Sequence, residues 1–510
     1  MSAPPSQATR PTVVSPISHR AYEVPEAVDD RGAIDAFVAR HPGRPVVVVQ
    51  GLGFVGAVMS LVCANALNGE YAVIGVDLPR GPGLWKINDI NSGTFPVVAS
   101  DPKIEAFYRE ARRKGNLLAT GDPYAYAKAD VVVVDINLDV AKESAPDGSL
   151  VGYDVDLGAF RGAIRSIGDH CRPEVLVLVE TTVPPGTCRH VALPILREAL
   201  GARGLPADRF ALGHSYERVM PGPNYVDSIQ NFYRVYSGID EASATRTEAF
   251  LRTIIRTDEY PLTRLGSTNA TEMAKVLENS YRAMNIAFAV EWSRFAEESG
   301  VNFYEVVDAI RLRPTHANLM YPGIGVGGYC LTKDPLLASW ARTALLGGAQ
   351  GLANSEDAVR TNDQMPRYAF ERLVATLDRD RGEGLDGTRI LLLGVSYRSD
   401  VGDTRYSPVE LFYRLLVRAG ATVTLVDPYV EYWDEVDRDV EADLSAVAKT
   451  PYDIVAVTTA HREFDGRYVG HFLAPGGSTL IYDTVGRLSQ GELDALRTRA
   501  RVSVLGRGDL

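Results

Sequence analysis

The chain has 510 residues, too many for one ordinary hydrophobic core, so two or three domains are expected. Apolar residues make up 45% of it and charged residues 23%, the composition of a folded globular protein rather than of a disordered or fibrous one. The formal net charge of -12 contains no long block of one sign, which argues against nucleic acid as the main partner and requires a local basic pocket for any anionic ligand.

Met1 to about Arg20 is rich in Pro, Ser and Thr, lacks the apolar stretch of a secretory signal and reads as a disordered leader. A short helix is expected near Asp30 to Arg40. Val46 to Gln50 then reads as a buried parallel strand, followed at once by glycines and a helical pattern. Further strands are expected at Ala72 to Val76, Val131 to Ile136, Val175 to Glu180 and Phe210 to Gly213, separated by helix-length segments. Such alternation implies a parallel sheet with helices on both faces. The longest apolar runs, such as Val175 to Val179, are strand-length and too short to span a membrane.

From Asn269 to Gly300 the pattern predicts one long helix, with Asn269 as N-cap, Glu272 completing a capping box and Gly300 at the end. Met273, Leu277, Tyr281, Met284, Phe288 and Trp292 stripe it, so it should bridge domains or pack against a second copy of itself. A second strand-glycine unit, Arg389 to Leu393 then Gly394, opens another α/β segment with strands at Thr422 to Val426, Ile454 to Thr458 and Thr479 to Tyr482. The fold class is thus α/β, with two Rossmann-like doubly wound domains joined by a long central helix. The expected boundaries are 1–44 for a partly disordered leader, 45–240 for a dinucleotide-binding domain, 241–350 for a helical region and 351–510 for a second Rossmann-like domain.

Gly51-Leu52-Gly53-Phe54-Val55-Gly56 lies between a predicted strand and helix, and Asp77 closes the next strand. Those glycines permit a tight turn and the approach of a pyrophosphate to a helix N-terminus, while the carboxylate suits a ribose hydroxyl and favours NAD over NADP. Cys330 follows the run Gly323-Ile324-Gly325-Val326-Gly327-Gly328, which would let backbone amides crowd a substrate and leave the thiol accessible. A buried core cysteine is the equally weighted alternative, with Lys333 and Asp334 as nearby charges able to tune a thiolate or shuttle a proton. Lys275 and Asn279, four residues apart, share one helix face and could address one oxygen atom, or be ordinary solvated polarity. Glu217 and Arg218 read as a base and a phosphate contact or as a surface pair. In Asp403-Thr404-Arg405 a guanidinium could meet a phosphate. The eight histidines show no metal-ligand spacing and no metal is expected. Cys63, Cys171, Cys188 and Cys330 form no Cys-x-x-Cys pair, which fits a reducing, cytoplasmic setting.

In order, Gly51–Gly56, Glu180–Thr187, Glu217–Gly222, Ala274–Arg282, Gly325–Cys330, Asp334-Pro335, Asp403–Arg405 with Ser407-Pro408, and Asp427-Pro428 resemble the UDP-glucose/UDP-N-acetylhexosamine 6-dehydrogenase family, from about Val46 to the C-terminus. The resemblance implies an N-terminal NAD domain, a central helix that forms a homodimer or higher homo-oligomer, and a C-terminal domain holding the UDP part of a nucleotide-sugar. It implies Cys330 as nucleophile in a four-electron oxidation through a thiohemiacetal and a thioester. It further implies Lys275 and Asn279 as oxyanion donors, Asp334 in proton transfer, Thr182 and Glu217 in water or proton handling, and Thr182 and Arg405 at NAD. The sugar nucleotide would meet Glu217, Arg218, Lys275, Asn279, Tyr321, Gly325, Gly327, Tyr397 and Arg398. The chain departs from the family at Asp135 to Val140, in place of a Thr-Pro turn, at Ser215-Tyr216 in place of Asn-Pro, at Arg398 in place of a lysine, and at Tyr329 in place of a histidine. Asn285-Ile286-Ala287 and Asp334-Pro335 are closer to the N-acetylhexosamine branch and Lys333 to the glucose branch, which favours the N-acetylated sugar. Two other readings are a two-electron hydroxyacid or 6-phosphogluconate type dehydrogenase, and a nucleotide-sugar-binding protein with altered catalysis.

Overall fold

The computed structural model describes residues 11–97, 99–145, 148–216, 218–219, 222–381, 384–447 and 450–510. Two compact units emerge: one takes the chain to Asp139, with Val155–Lys275 and Ala344–Gly347, and the other Val140–Asp154, Val276–Thr343 and Gly348–Leu510.

In the first unit the valine run Val46–Gln50 is buried throughout and pairs in parallel with Ala72–Val76 on one side and Val131–Val134 on the other. Strands hidden on both faces read as continuous apolar runs, as these do. From one edge the sheet runs Leu117–Thr120, Ala72–Val76, Val46–Gln50, Val131–Val134, Leu176–Val179 and Ala211–His214, which in chain order is 3-2-1-4-5-6. Val235–Gly238 then joins antiparallel and Thr263–Arg264 closes that edge. The strand order reverses between Val46–Gln50 and Val131–Val134, and the carboxyl ends of strands at such a reversal are where doubly wound sheets bind ligands.

The expected disordered leader is instead folded from Pro11 onward, and its first ten residues lie outside the described residues. Thr12–Val14 and Ala21–Glu23 form an antiparallel hairpin. Ser15, Ser18 and Tyr22 donate hydroxyls to the carboxylate of Asp89 at 2.5, 2.6 and 2.6 Å. Asp89 is fully buried on the helix Gly81–Ser92, so those three donors satisfy a carboxyl group that has no access to water.

The second unit carries a five-stranded parallel sheet ordered Thr422–Val426, Arg389–Leu393, Ile454–Val457, Leu480–Asp483 and Arg501–Val504, or 2-1-3-4-5 in chain order within it. The two-stranded sheet Val140–Ser144 with Leu150–Val155 belongs to this unit. It is held by Lys142 on Asp363 at 2.8 Å, Tyr153 on Glu356 at 2.6 Å and Trp340 on Asp154 at 3.0 Å.

The two sheets repeat one device that their sequences do not advertise. Gly51 N–H donates to Val76 O at 2.8 Å and Leu52 N–H to the Asp77 carboxylate at 2.9 Å; Gly394 N–H donates to Val426 O at 2.8 Å and Val395 N–H to Asp427 at 2.9 Å. Both glycines have positive φ, +94° and +102°, a conformation glycine adopts without cost.

The long helix runs Thr268–Glu298, beginning in the first unit and ending in the second. Ala283 and Val290 on it are buried, whereas Met273, Leu277, Tyr281, Phe288, Trp292 and Phe295 each expose about half their surface or more (48 to 61%). Together they form an exposed aromatic and aliphatic stripe along the helix. Among the described residues no helix is long and apolar enough to cross a membrane.

Candidate active site

At the carboxyl end of Val46–Gln50 each glycine has its own reason. A Cβ at Gly51 would lie 2.3 Å from Asp135 O, and one at Gly56 would lie 1.9 Å from Gly51 O. At Gly53, with φ -74°, a Cβ would meet nothing within 4 Å. The fold therefore demands Gly51 and Gly56, while Gly53 leaves open space directly ahead of the helix Phe54–Ala64. Val55 is half-buried in its first turn and Phe54 is exposed. Open space before a helix N-terminus is what a pyrophosphate needs. Asp77 stands half-buried beside the turn and accepts N–H groups from Leu52 and Leu78 at 2.9 and 2.7 Å. With the turn at the reversal of strand order, these residues fit a dinucleotide.

Also in the first unit, Lys275 is nearly buried, its ammonium 5.5 Å from the centroid of the Tyr216 ring. Arg218 lies 5.4 Å from the same ring, donates to the Tyr216 hydroxyl at 3.2 Å and to Tyr233 O at 2.9 Å, and covers Phe232. Tyr216, one of the departures from the family pattern, is thus an aromatic partner for two cations. Thr182 is half-buried in the segment after Leu176–Val179, and Glu217 lies outside the described residues. The sequence reading gave no role to one buried group here and misread another. His214, its pKa pushed down to about 3 by burial, meets Thr271 Oγ at 2.8 Å. Glu272 is not part of a capping box, since the helix already begins at Thr268; its carboxylate, fully buried, accepts the N–H groups of Gly186 and Cys188 at 2.6 and 2.8 Å.

In the second unit Cys330 is exposed and is the first residue of the helix Cys330–Ala344, where unpaired N–H groups favour negative charge. One turn on, Asp334 has no solvent exposure. It accepts Asn279 Nδ2 at 2.5 Å and Lys333 Nζ at 3.1 Å. Lys333 is also buried, with its ammonium 4.8 Å from the Tyr329 ring centroid, and Tyr329 packs against Tyr406 at 5.8 Å. Lys333 and Asp334 are therefore a buried ion pair in the turn of helix that follows the cysteine.

The glycines ahead of Cys330 serve close packing. A Cβ at Gly325 would meet Pro408 at 2.8 Å, at Gly327 the Cβ of Tyr397 at 2.4 Å, and at Gly328 the Tyr397 ring at 2.7 Å. Gly328 N–H also donates to Arg405 O at 3.1 Å, which joins this loop to the segment Tyr397–Tyr406. The Arg405 guanidinium grips Asp403 through two bonds of 2.9 and 2.6 Å, and Arg398 is exposed. Tyr406 holds φ +53°, a strained conformation for a non-glycine residue and one no sequence pattern announces. Tyr321 is stacked on Tyr304 at 5.8 Å, covered by Arg311 at 4.8 Å and bonded to Asp308. Asp400, His461 and Glu463 also cluster, but His461 Nδ1 accepts the Asp400 N–H at 2.9 Å and its Nε2 faces Asp427 at 3.1 Å, so the ring braces the second sheet's Gly394 turn.

A dinucleotide turn at the strand-order reversal of one parallel sheet, and a second doubly wound parallel sheet in the other unit with the same glycine turn, define an α/β protein of the dinucleotide-binding class. Three models of one family match in order: the NAD binding domain of the UDP-glucose/GDP-mannose dehydrogenase family over residues 46–255, its central domain over 269–362 and its UDP binding domain over 391–490. The chain belongs to that family and is an NAD-dependent nucleotide-sugar dehydrogenase. A UDP-N-acetyl-D-mannosamine dehydrogenase of Pyrococcus horikoshii is 29% identical over 475 residues, covering 91% of this chain and 100% of the relative. Among solved structures, the UDP-D-ManNAc dehydrogenase of Pyrococcus horikoshii superposes with a TM-score of 0.75 at 27% identity, covering 91% of this chain and all of the other. An NDP-N-acetyl-D-galactosaminuronic acid dehydrogenase of Methanosarcina mazei Go1 does so with 0.76 at 26%, covering 93% and 98%.

Proposed function

We propose that the chain oxidises the C6 alcohol of a UDP-N-acetylhexosamine to the uronate in two successive two-electron steps. The observation that carries this reading is the exposed Cys330 thiol at a helix start, backed by the Asn279–Asp334–Lys333 set, of which Asp334 and Lys333 are buried. NAD, when bound, accepts hydride. The alcohol loses hydride and a proton to give an aldehyde; the Cys330 thiolate adds to its carbonyl carbon, and the thiohemiacetal loses a second hydride to become a thioester. Water then cleaves the C–S bond, releasing the carboxylate and the thiol. A cysteine suits this sequence because a thioester keeps the acyl group bound and activated. Lys275 and Asn279 stabilise oxyanions, with Asn279 oriented by its bond to Asp334. Asp334 and Thr182 handle the water and its proton. Both similar dehydrogenases named above act, by name, on N-acetylated sugars, which supports the N-acetylhexosamine over glucose.

The test is stoichiometry. Purified protein given a UDP-N-acetylhexosamine is expected to form two NADH per sugar and a uronate seen by mass spectrometry. One NADH per sugar at full turnover would select a two-electron dehydrogenase, and binding without any NAD reduction would select an altered nucleotide-sugar-binding protein.

The same reading makes the exposed stripe of the long helix a homodimer surface. Phe288→Glu with Trp292→Glu is expected to shift the protein to monomer in analytical ultracentrifugation without unfolding it, because both side chains already face solvent within the protomer. An unchanged sedimentation coefficient would show that the stripe is not the contact.

A further inference from the structure

Along Pro184–Cys188 the backbone hydrogen bonds can be accounted for completely. All five residues are buried, so their N–H groups have no water to turn to. Pro184 and Pro185 have no N–H, and Thr187 N–H donates to Pro184 O at 3.1 Å. The two donors left, on Gly186 and Cys188, both go to Glu272, one to each carboxylate oxygen. Thr182 stands two residues ahead of this turn.

At its other end Glu272 belongs to the first turns of the long helix, three residues before Lys275. The preceding residue, Thr271, fixes the helix to the sheet: its hydroxyl lies 2.8 Å from both His214 Nδ1 and Ser237 Oγ. The helix start is thereby held on two sides, by Thr271 to the strands and by Glu272 to the Pro-Pro-Gly-Thr turn, and the Lys275 ammonium follows one turn later.

We propose that Glu272 is a positioning residue for the oxidation, clamping the turn that follows Thr182 to the helix that carries Lys275 and so fixing those two groups relative to each other. This rests on the roles given above to Thr182 and Lys275. Among the described residues, the hydrogen bonds to the Glu272 carboxylate come from backbone amides and the Cys188 thiol, so it acts through other residues. The clamp needs an acceptor at both oxygens, which only the carboxylate form provides. Burial pushes Glu272 up to about 7, against the lowering effect of Cys188 and the amides of Gly186 and Thr187. Cys188, the titratable side chain facing it, is itself pushed far up by burial and stays neutral. As pH falls through about 7 the carboxyl gains a proton, one acceptor becomes a donor facing an N–H, and the clamp loosens.

The experiment measures kcat, KM and their pH dependence for wild type, Glu272→Gln, Glu272→Asp and Cys330→Ser with the hexose nucleotide that supports turnover. Glu272→Gln is expected to lower kcat roughly 100-fold, the cost of about 1 Å of misplacement, with NAD affinity unchanged. It should also abolish the fall in kcat on the acid side of neutrality, because glutamine does not titrate. Glu272→Asp, shorter but charged, should recover part of the rate and keep the acid-side fall. A wild-type kcat in Glu272→Gln, or a slow variant whose acid-side fall is unchanged, overturns the proposal. If Glu272→Gln does not fold, Glu272→Asp decides: a wild-type rate overturns the clamp, and a lowered rate with the acid-side fall retained supports it. Cys330→Ser separates the two levels. Full turnover by Cys330→Ser sinks the thioester reading, whereas a dead Cys330→Ser beside a fast Glu272→Gln sinks the clamp alone.

Discussion

Cys330→Ser is expected to lower kcat for uronate formation by roughly four orders of magnitude, within the range seen when a nucleophile is removed. A serine hydroxyl is a far weaker acid and a poorer nucleophile than a thiol, and an oxygen ester would not be formed by the same addition and second hydride loss at a comparable rate. The fold should be indifferent to the change, because Cys330 is exposed and forms no part of a core cluster. The melting temperature and NADH binding are therefore expected to match wild type, which distinguishes lost chemistry from lost structure. Stopped-flow absorbance should show at most one NADH per active site instead of two. A variant that makes uronate within tenfold of the wild-type rate would remove Cys330 from the mechanism, and with it the main argument for four electrons.

How much of this could be read without coordinates depended on how local each cause was. The strands Val46–Gln50, Ala72–Val76, Arg389–Leu393 and Thr422–Val426 have the bounds expected from sequence, because an apolar run closed by a glycine (Gly51, Gly394) or an aspartate (Asp77, Asp427) is a signal within a few residues. Short strands such as Val235–Gly238 and Arg501–Val504 escaped, since their pairing depends on neighbours far along the chain. The leader escaped for the same reason: its Pro, Ser and Thr content suggests disorder, while the acceptor that orders Ser15 is Asp89, 74 residues away. At the site, the sequence left an accessible and a buried Cys330 equally open, and the reason for the glycine run was not legible, because the Tyr397 side chain that excludes a Cβ at Gly327 and Gly328 lies some seventy positions later. Glu272 was visible but misread. A glutamate near a helix start satisfies a local capping pattern, and only the fold brings Gly186 and Cys188 to it as stronger claimants.

The glycine turn gives the second large effect, and a pair of substitutions separates its two functions. Gly56→Ala places a methyl 1.9 Å from Gly51 O and 3.1 Å from Asp135 Cβ, so backbone must move at the reversal of the first sheet. Overpacking of this kind costs about 1–3 kcal/mol, more where the obstacle is backbone, so thermal stability and NAD binding should both fall. Gly53→Ala tests the other function. With φ -74° and no atom within 4 Å of the added Cβ, the apo fold accepts alanine, and the loss of unfolded-state freedom raises stability by about 0.4–1 kcal/mol. Yet the methyl would occupy the space ahead of Phe54–Ala64 into which a pyrophosphate must come. The expected result is a variant that melts no lower than wild type but binds NADH at least tenfold more weakly by fluorescence titration. Wild-type affinity in Gly53→Ala would mean that the pyrophosphate does not approach this helix start, even though the turn that frames it is built as a dinucleotide turn.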